Sequence, residues 1–261
     1  LLTNTTYFQD GTTCGFSNSG TSTLTQRKIT PGVIKVQKSF CDRTLIGYAA
    51  GYDVKIAAGT ATLPFEEMFV NTEIEYVGSA LEKAIWQGDT NSSDVNLNKF
   101  DGLIKIIDAA SGSTANVSTT ATGITSTNII SLVQSVVATI PVELIDKTDV
   151  NIFCGNDVFR TYILALINAN LYNYTGTIDQ NMEIVVPGTI VKLIGVPGLN
   201  STNRMFAFQS SNVFYGTDLQ NDEEKFRFRY DESNEEFRMT ISFSAGVQVA
   251  FPDQVVRFKL A

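Results

Sequence analysis

A strict alternation of apolar and polar residues near the C-terminus restricts the fold more than any other feature of this sequence. Every second residue from Phe237 to Phe251 is apolar, and most residues between them are polar. Because successive side chains of a β-strand point to opposite faces, this segment predicts one long strand with a buried face. A shorter alternation over residues 226–230, joined to it by the turn sequence DESNE, completes a predicted antiparallel hairpin. Residues 255–260 predict a further strand.

Two segments have apolar residues at helical spacing and predict amphipathic helices. The first covers residues 64–86, and Gly88 follows it as a C-cap glycine. The second covers residues 129–140, where apolar residues recur in steps of three and one until Pro141 ends the helix. Each helix has an apolar face that another element must cover.

The remaining segments predict a compact α/β block preceded by a polar N-terminal arm. A further helix is expected to begin with Asn156 as its cap, with Phe159, Ile163, Leu166 and Ile167 facing inward. A low-complexity connector over residues 111–125 is a candidate domain boundary. Strands are predicted at residues 29–40, 53–58, 100–107, 150–154, 183–186, 189–196 and 205–209.

The first 60 residues are expected to have little core of their own. Residues 1–28 are rich in Thr, Ser, Asn and Gly, so they cannot bury enough apolar surface to fold alone. We interpret them as an arm that lies on something else, with a disordered tail as the alternative. The strands at residues 29–40 and 53–58 then form a projecting, hairpin-like loop.

The absence of histidine excludes most of the common chemistry of enzymes. Without histidine the chain can form no Ser-His-Asp or Cys-His arrangement and no histidine-containing zinc site. Asp89, Asn91 and Asp94 faintly resemble a calcium loop, but Asp94 stands where that loop requires glycine and Phe100 where it requires glutamate. We therefore expect no catalytic, cofactor-binding or metal-binding residues. Carboxylate-based or lysine-based chemistry stays open.

The charge balance argues against a dedicated nucleic-acid binder. The chain has 19 Lys and Arg residues and 27 Asp and Glu residues, for a net charge of −8. Binding to a phosphate backbone requires a basic surface that releases counterions. No apolar run reaches the ~18 residues that a membrane-spanning helix needs.

Four longer segments carry a resemblance to a known family. They are residues 29–45 (ITPGVIKVQKSFCDRTL), 82–103 (EKAIWQGDTNSSDVNLNKFDGL), 150–166 (VNIFCGNDVFRTYILAL) and 213–256 (VFYGTDLQNDEEKFRFRYDESNEEFRMTISFSAGVQVAFPDQVV). In this order they resemble the pre-helix loop, the segment after the long helix, the axial strand and helix, and the return to the peripheral domain in major capsid proteins of tailed bacteriophages. Those proteins have the Hong Kong 97-type fold, and crAss-like phages are the nearest group.

The resemblance implies an α+β fold with a fixed order of parts. These are an N-terminal arm (residues 1–28), an extended loop (29–62), a peripheral domain with a long spine helix and the β-hairpin (63–112 and 217–261), and an axial domain (113–216). The family commonly loses an N-terminal scaffold segment by proteolysis, which would account for Leu1 as the first residue. An N-terminus missing from the sequence would look the same.

The function implied by the resemblance is structural. Subunits of the family assemble into pentamers and hexamers of an icosahedral phage head that encloses double-stranded DNA without sequence-specific binding. Expected partners are portal, scaffolding and decoration proteins, with no membrane contact and no cofactor. The expected location is the virion, after assembly in the host cytoplasm.

Two groups of residues are candidates for contacts between subunits. On the extended loop, Val36, Phe40, Tyr48 and Tyr52 are the expected contact side chains. The resemblance also implies a loop near the capsomer axis that contains Tyr174, Thr175, Gly176 and Asp179. We expect residues 29–60 to be ordered only by lying on a neighbouring subunit, because isolated two-stranded hairpins are marginal in water.

Three alternatives stay open at this point. A bacterial encapsulin-like nanocompartment would have the same fold and a different biology. A secreted adhesin-like β protein would fit the Thr, Asn and Ser content but not the helices at residues 64–86 and 129–140. A carboxylate-based hydrolase would need two carboxylates roughly 5–10 Å apart in a cleft, and no sequence feature indicates such a pair.

Overall fold

The computed structural model describes residues 2–260 except 10, 13, 14, 17, 42, 45, 46, 52–64, 111–113, 118, 146, 148, 170–181 and 218–224. The strands are β1 (Leu2–Thr6), β2 (Gly20–Leu24), β3 (Gly32–Cys41), β4 (Ala115–Val117), β5 (Val150–Gly155), β6 (Glu183–Val185), β7 (Lys192–Val196), β8 (Met205–Gln209), β9 (Val213–Gly216), β10 (Lys225–Asp231), β11 (Glu236–Val249) and β12 (Val256–Phe258). The helices are α1 (Phe65–Gln87), α2 (Leu103–Ala109), α3 (Ile129–Thr139), α4 (Val142–Ile145) and α5 (Asn156–Asn168).

The predicted C-terminal hairpin is confirmed, and it forms a sheet with a strand from the beginning of the chain. Strand β11 lies between β10 and β3 and pairs antiparallel with both, and we call these strands the three-stranded sheet. The C-terminal part of β11 also pairs antiparallel with β9, from Gly246 opposite Gly216 to Val249 opposite Val213, which adds a fourth strand. The pairing with β3 runs over ten residues, from Gly32 opposite Ala245 to Cys41 opposite Glu236. The expectation that residues 29–60 are ordered only on a neighbouring subunit is therefore wrong for β3, whose partner strand belongs to the same chain.

Helix α1 covers one face of this three-stranded sheet, as its apolar periodicity predicts. Val77 and Leu81 of α1 pack against a cluster that includes Met239, Ile241 and Phe243 of β11. We call this cluster the helix–hairpin core. Its buried residues are Ala84, Trp86, Phe100, Leu103, Ile107, Leu199, Phe206, Phe208, Met239, Ile241, Phe243, Ala245, Val247, Val249 and Val255.

The middle of the chain forms a second sheet with three helices, and β12 near the C-terminus joins this sheet. The strand order is β4-β12-β8-β5-β7-β6, with β5 parallel to β7 and β12 parallel to β4. Residues of α3, α4 and α5 pack on it in a separate core that includes Val133, Ile152 and Phe159. Strand β12 belongs to this sheet, although residues 217–261 were expected in the peripheral domain. The proposed domain limits stay a prediction.

The apolar stretch at residues 100–107 was expected as a strand, but from Leu103 onward it forms helix α2. Leu103 and Ile107 are buried, and their spacing of four residues follows one face of α2, while Phe100 is buried just before the helix. A short apolar run fits a buried strand or a buried helix equally well when only its hydrophobicity is considered. As a helix, α2 contributes Leu103 and Ile107 to the helix–hairpin core.

The start of α5 also differs from the expectation. Gly155 is the N-cap residue, and Asn156 is the first helical residue instead of the cap. The backbone N–H of Asn156 donates to Oδ1 of Asn200 at 2.7 Å, so a distant side chain satisfies one free donor of the helix. Phe159 and Leu166 are buried as predicted, Ile163 is half-buried, and Ile167 is exposed.

Strands β1 and β2 form a separate antiparallel pair, which we call the N-terminal hairpin. Leu2 lies opposite Leu24 and Thr6 opposite Gly20. The side chains described here are exposed, including Phe8, Phe16 and Leu24. The segment is therefore paired with itself, and the arm predicted from its composition has strand structure.

Candidate functional surfaces

The loop residues predicted to contact other subunits divide into three groups. Val36 lies opposite Ile241 and Phe40 opposite Phe237, and both side chains pack against the helix–hairpin core. Tyr48 is 70% exposed and does not join them. Tyr52 lies outside the described residues. A role of these four residues between subunits stays a prediction.

The predicted capsomer-axis loop lies wholly outside the described residues. Tyr174, Thr175, Gly176 and Asp179 all fall in the segment 170–181. The elements on either side of it are α5, which ends at Asn168, and β6, which begins at Glu183. Their contribution to a contact around an axis stays a prediction.

The end of α1 is fixed to the middle of the chain by a glycine-dependent contact. A Cβ atom on Gly198 would lie 2.3 Å from Cδ1 of Trp86, so only glycine allows the indole ring to approach the backbone this closely. The Nε2 of Gln87 donates to the carbonyl oxygen of Gly198 at 2.6 Å. Trp86 is 7% exposed and contacts three rings whose centroids lie 5.8–6.3 Å away, those of Phe153, Phe206 and Phe208.

Gly88 has a different role from the one its position predicts. Its φ lies outside the left-handed region typical of C-cap glycines. A Cβ atom there would lie 2.5 Å from the carbonyl oxygen of Ala84 and 2.6 Å from that of Phe100. Gly88 is therefore needed for close packing of the segment before α2 against the end of α1. The N–H of Gly102 donates to the carbonyl oxygen of Gly88 at 2.8 Å across this contact.

The segment that faintly resembles a calcium loop holds a lysine ammonium group. Nζ of Lys105 lies 2.7 Å from Oδ1 of Asp89 and 2.7 Å from Oδ1 of Asp101. The hydrogen bond from Lys105 lowers the pKa of Asp89, and the same two carboxylates raise the pKa of Lys105. Among the residues that the structure describes, no group of three or more Cys, Asp or Glu side chains could hold a metal ion.

A second ionic cluster joins helix α2 to the six-stranded sheet. Asp108 of α2 accepts hydrogen bonds from Nη1 of Arg204 at 2.8 and 2.7 Å, and from Nη1 of Arg257 at 3.0 Å. Since α2 packs in the helix–hairpin core and Arg257 lies on β12, the cluster ties the two cores together. Its chemistry is that of a structural ion-pair network.

The described cysteines differ in their surroundings. Cys154 is completely buried on β5, and this burial raises the pKa of its thiol well above the usual range. Cys41 lies at the end of β3 and is exposed. Burial also raises the pKa of Tyr162 to about 12. Both buried groups therefore stay protonated at neutral pH.

One face of the three-stranded sheet carries a cationic surface that the sequence analysis missed. Lys35, Arg227, Arg229 and Arg238 line a groove of about 350 Å³ on the side of the sheet away from α1. We call it the basic sheet face. The signal was present in the alternation, since these residues occupy the polar positions of β3, β10 and β11. Their convergence requires the pairing of β3 with β11, which the sequence alone did not predict.

No helix among the described residues is long and apolar enough to cross a membrane. No model of a protein family matches the chain, and no curated protein matches it. The fold is nevertheless shared with solved structures at low sequence identity. One is a chain of the procapsid of satellite phage P4 including the size determination (Sid) protein, with 13% identity, a TM-score of 0.63 and coverage of 99% of this chain and 80% of that one.

Two further structures extend the likeness beyond one kind of particle. The capsid of an empty GTA particle shares 12% identity at a TM-score of 0.63, covering 100% of this chain and 84% of that one. The SrpI encapsulin complex from Synechococcus elongatus PCC 7942 shares 10% identity at a TM-score of 0.55, covering 92% of this chain and 77% of that one. The chain therefore has a mixed helix and sheet fold that resembles phage capsid structures.

Proposed function

We propose that this chain is the major capsid protein of a tailed bacteriophage and self-assembles into an icosahedral head that encloses double-stranded DNA. The observation that carries the proposal is the extent of the likeness, because the fold matches capsid chains over 99–100% of its length. The sequence segments that resemble the Hong Kong 97-type family support the same conclusion independently of the three-dimensional comparison.

The proposed division of the chain follows the family's order of parts. The N-terminal hairpin would be the arm, residues 29–62 the extended loop, and α1 the spine helix. Helix α1 and the hairpin of β10 and β11 would belong to the peripheral domain (residues 63–112 and 217–261), and residues 113–216 would form the axial domain. The packing of α1 on β11 supports the discontinuous peripheral domain, since its two parts are far apart in sequence.

The surface of the single chain supports assembly into a shell. Phe8, Phe16 and Leu24 of the N-terminal segment are 82–105% exposed. A shell would bury such side chains between subunits, and pentamers and hexamers would repeat each contact many times. Portal, scaffolding and decoration proteins are the further expected partners, in a virion assembled in the host cytoplasm.

An encapsulin-like nanocompartment is the second candidate function. The likeness to the encapsulin complex over 92% of this chain favours it specifically. The two candidates predict the same kind of shell with different contents. Particles isolated from their natural source would contain double-stranded DNA if the chain is a phage capsid protein, and a protein cargo if it is an encapsulin.

Electron microscopy of the purified full chain tests the proposed shell. We expect closed particles of uniform diameter, or discrete rings of subunits that close when a scaffolding protein is added. A chain that stays monomeric at all concentrations, with and without such a protein, would contradict the proposal. Chemical unfolding of the same sample checks that the chain is folded.

A further inference from the structure

The groove in the basic sheet face is lined by cations and by neutral polar side chains from three adjacent strands. Its lining includes the charged groups of Lys35, Arg227, Arg229 and Arg238 and the hydroxyl groups of Thr240 and Ser242. No carboxylate among the described residues lines it. The groove therefore offers ammonium, guanidinium and hydroxyl donors, which suit an anionic ligand.

The strand register brings two of these cations together at a cost to stability. Arg229 lies directly opposite Arg238, and like charges in this arrangement destabilise an antiparallel pair. Arg238 is paired with Asp231 through Nη2 at 2.7 Å. Within the described part of the chain, Lys35, Arg227 and Arg229 form no ion pair. These three side chains are exposed, so their charges are available to a ligand.

The carboxylates of the same hairpin are gathered at its turn. Asp231 ends β10, Glu236 begins β11, and Glu232 and Glu235 lie between them. Glu236 is opposite Asp231, and it lies on the same face as Arg238 because alternate residues of a strand share a face. The acidic turn and the cationic groove are therefore separate parts of one surface, and a negatively charged ligand would bind at the groove.

The negative net charge of the chain does not prevent an anion from binding locally. The net charge is −8, but dissolved salt screens exposed charges beyond a distance of ~10 Å at 0.1 M ionic strength. Arg227 precedes Asp231 by four residues, so the two are separated by ~14 Å along β10 at ~3.4 Å per residue. A ligand in the groove therefore interacts mainly with the cations that line it.

The chemistry of the groove favours the phosphate backbone of a nucleic acid. Guanidinium groups bind phosphate oxygens with two parallel hydrogen bonds, and serine and threonine hydroxyl groups commonly donate to the same oxygens. Arg227 and Arg229 are two residues apart on one face of β10, at ~7 Å, so they can contact a row of charges. No aromatic side chain among the described residues lines the groove. Since unpaired bases are commonly bound by stacking on aromatic rings, the lining suits a duplex backbone better than a single strand.

We propose that the basic sheet face binds the phosphate backbone of double-stranded DNA without regard to its sequence. Lys35, Arg227 and Arg229 contact phosphate oxygens, and Thr240 and Ser242 add hydrogen bonds. Contacts of this kind position a duplex but carry no sequence information. The proposal rests on the proposed function, since it names the surface through which a capsid subunit touches the DNA that the shell encloses. One subunit binds weakly, and a shell repeats the contact many times.

Fluorescence anisotropy of a short labelled DNA duplex, titrated with the purified full-length chain, tests the proposal. Three cations without an ion pair would release counterions from three phosphates. The logarithm of the association constant should then fall with the logarithm of the salt concentration with a slope of about −2.7. Duplexes of different sequence should bind with equal affinity, because the contacts are made to the backbone.

The variant R227Q/R229Q removes two of the three contacts and should reduce the slope to about −0.9. It should not lower the free energy of unfolding, because it also removes the repulsion between Arg229 and Arg238. Chemical unfolding of the variant measures this second quantity. A loss of binding without a loss of stability separates a role in binding from a role in folding.

Two further variants separate this contact from general effects of charge. R160Q/K259Q removes two exposed cations outside the basic sheet face and changes the net charge by the same amount as R227Q/R229Q. It should keep the salt dependence of the wild type. E236Q removes a carboxylate from the same face as the groove and should strengthen binding. Far-ultraviolet circular dichroism of every variant verifies the fold.

The outcomes distinguish this proposal from the proposed function. A wild-type chain that does not bind the duplex at low salt overturns the DNA contact, and so do equal losses in R227Q/R229Q and R160Q/K259Q. Tighter binding of polyglutamate than of the duplex also overturns it, because the partner would then be an acidic protein. None of these results bears on the shell itself. The proposed function fails instead if electron microscopy shows no particles.

Discussion

The N-terminal hairpin and the C-terminal hairpin of β10 and β11 use the same antiparallel pairing with opposite results. Strand β2 has the sequence GTSTL and is exposed along its length except at Gly20. Strand β11 buries Met239, Ile241 and Phe243 beneath α1. Both hairpins pair in register over the full length of their first strand, so pairing alone does not decide which hairpin becomes part of a core.

The comparison of the two hairpins indicates that the C-terminal hairpin is stabilised by burial of its apolar face beneath a helix. A backbone hydrogen bond contributes only ~0.5–1.5 kcal/mol net, whereas burial of a large apolar side chain contributes ~1.5–3 kcal/mol. The N-terminal hairpin has the backbone pairing, but its described side chains bury no large apolar group. Its exposed Phe8 and Phe16 are the side chains that another surface would have to cover.

The largest expected effect comes from removing the anchor of the covering helix. Trp86→Ala should lower the free energy of unfolding by ~3–5 kcal/mol, because it leaves a cavity among Phe153, Phe206 and Phe208. Chemical unfolding followed by circular dichroism measures the change. Trp86→Phe, which keeps a ring in the site, should lose less. Unchanged stability of Trp86→Ala would show that α1 is held elsewhere.

A substitution within each hairpin tests the comparison directly. Met239→Ala should lower the free energy of unfolding by ~2–5 kcal/mol, since its side chain is completely buried. Thr23→Ala on the exposed N-terminal hairpin should change it by no more than ~0.5 kcal/mol. Urea unfolding of both variants gives the two values side by side. Equal losses would mean that the N-terminal hairpin has a core contact of its own.

Two glycines near α1 should respond in opposite directions to the same added methyl group. Gly88→Ala should destabilise the chain by ~1–3 kcal/mol, because the new Cβ meets two carbonyl oxygens. Gly78→Ala lies within α1, where nothing stands within 4 Å of the new Cβ, and should stabilise by ~0.5–1 kcal/mol. Thermal unfolding of both proteins measures the difference. A stable Gly88→Ala protein would refute the packing role given to Gly88.

The smallest expected effect follows removal of the N-terminal hairpin. Deleting residues 1–27 should change the free energy of unfolding of the remaining chain by less than ~0.5 kcal/mol, since the hairpin's described side chains are exposed. Calorimetry under identical conditions compares the two chains. A large loss would show that the hairpin supports a core within its own subunit.

Local patterns predicted the elements whose periodicity is long enough to be unambiguous. The alternation of β11 and the helical spacing of α1 each extend over more than a dozen residues, so the period identifies the element. The stretch at residues 100–107 was wrongly predicted as a strand because eight residues of mixed apolar content fit both periods. Asn156 was wrongly predicted as a cap because the acceptor of its backbone N–H, Oδ1 of Asn200, is distant in sequence.

The candidate surfaces were less predictable than the elements because they depend on long-range pairing. Val36 and Phe40 were expected to face a neighbouring subunit, but their partners Ile241 and Phe237 lie about 200 residues further along the same chain. The basic sheet face requires the same pairing, since Lys35 comes from β3 and the three arginines from the hairpin. No local pattern shows which two strands will meet.

The pairing of β3 with β11 also sets the time at which the chain can complete its fold. Gly32 meets Ala245, so the three-stranded sheet cannot close before residue 245 has been synthesised. Contacts between such distant residues slow folding, because the intervening chain must be ordered before they form. A nascent chain on the ribosome therefore lacks the basic sheet face and the support beneath α1. Most of the chain must therefore leave the ribosome before the helix–hairpin core can form.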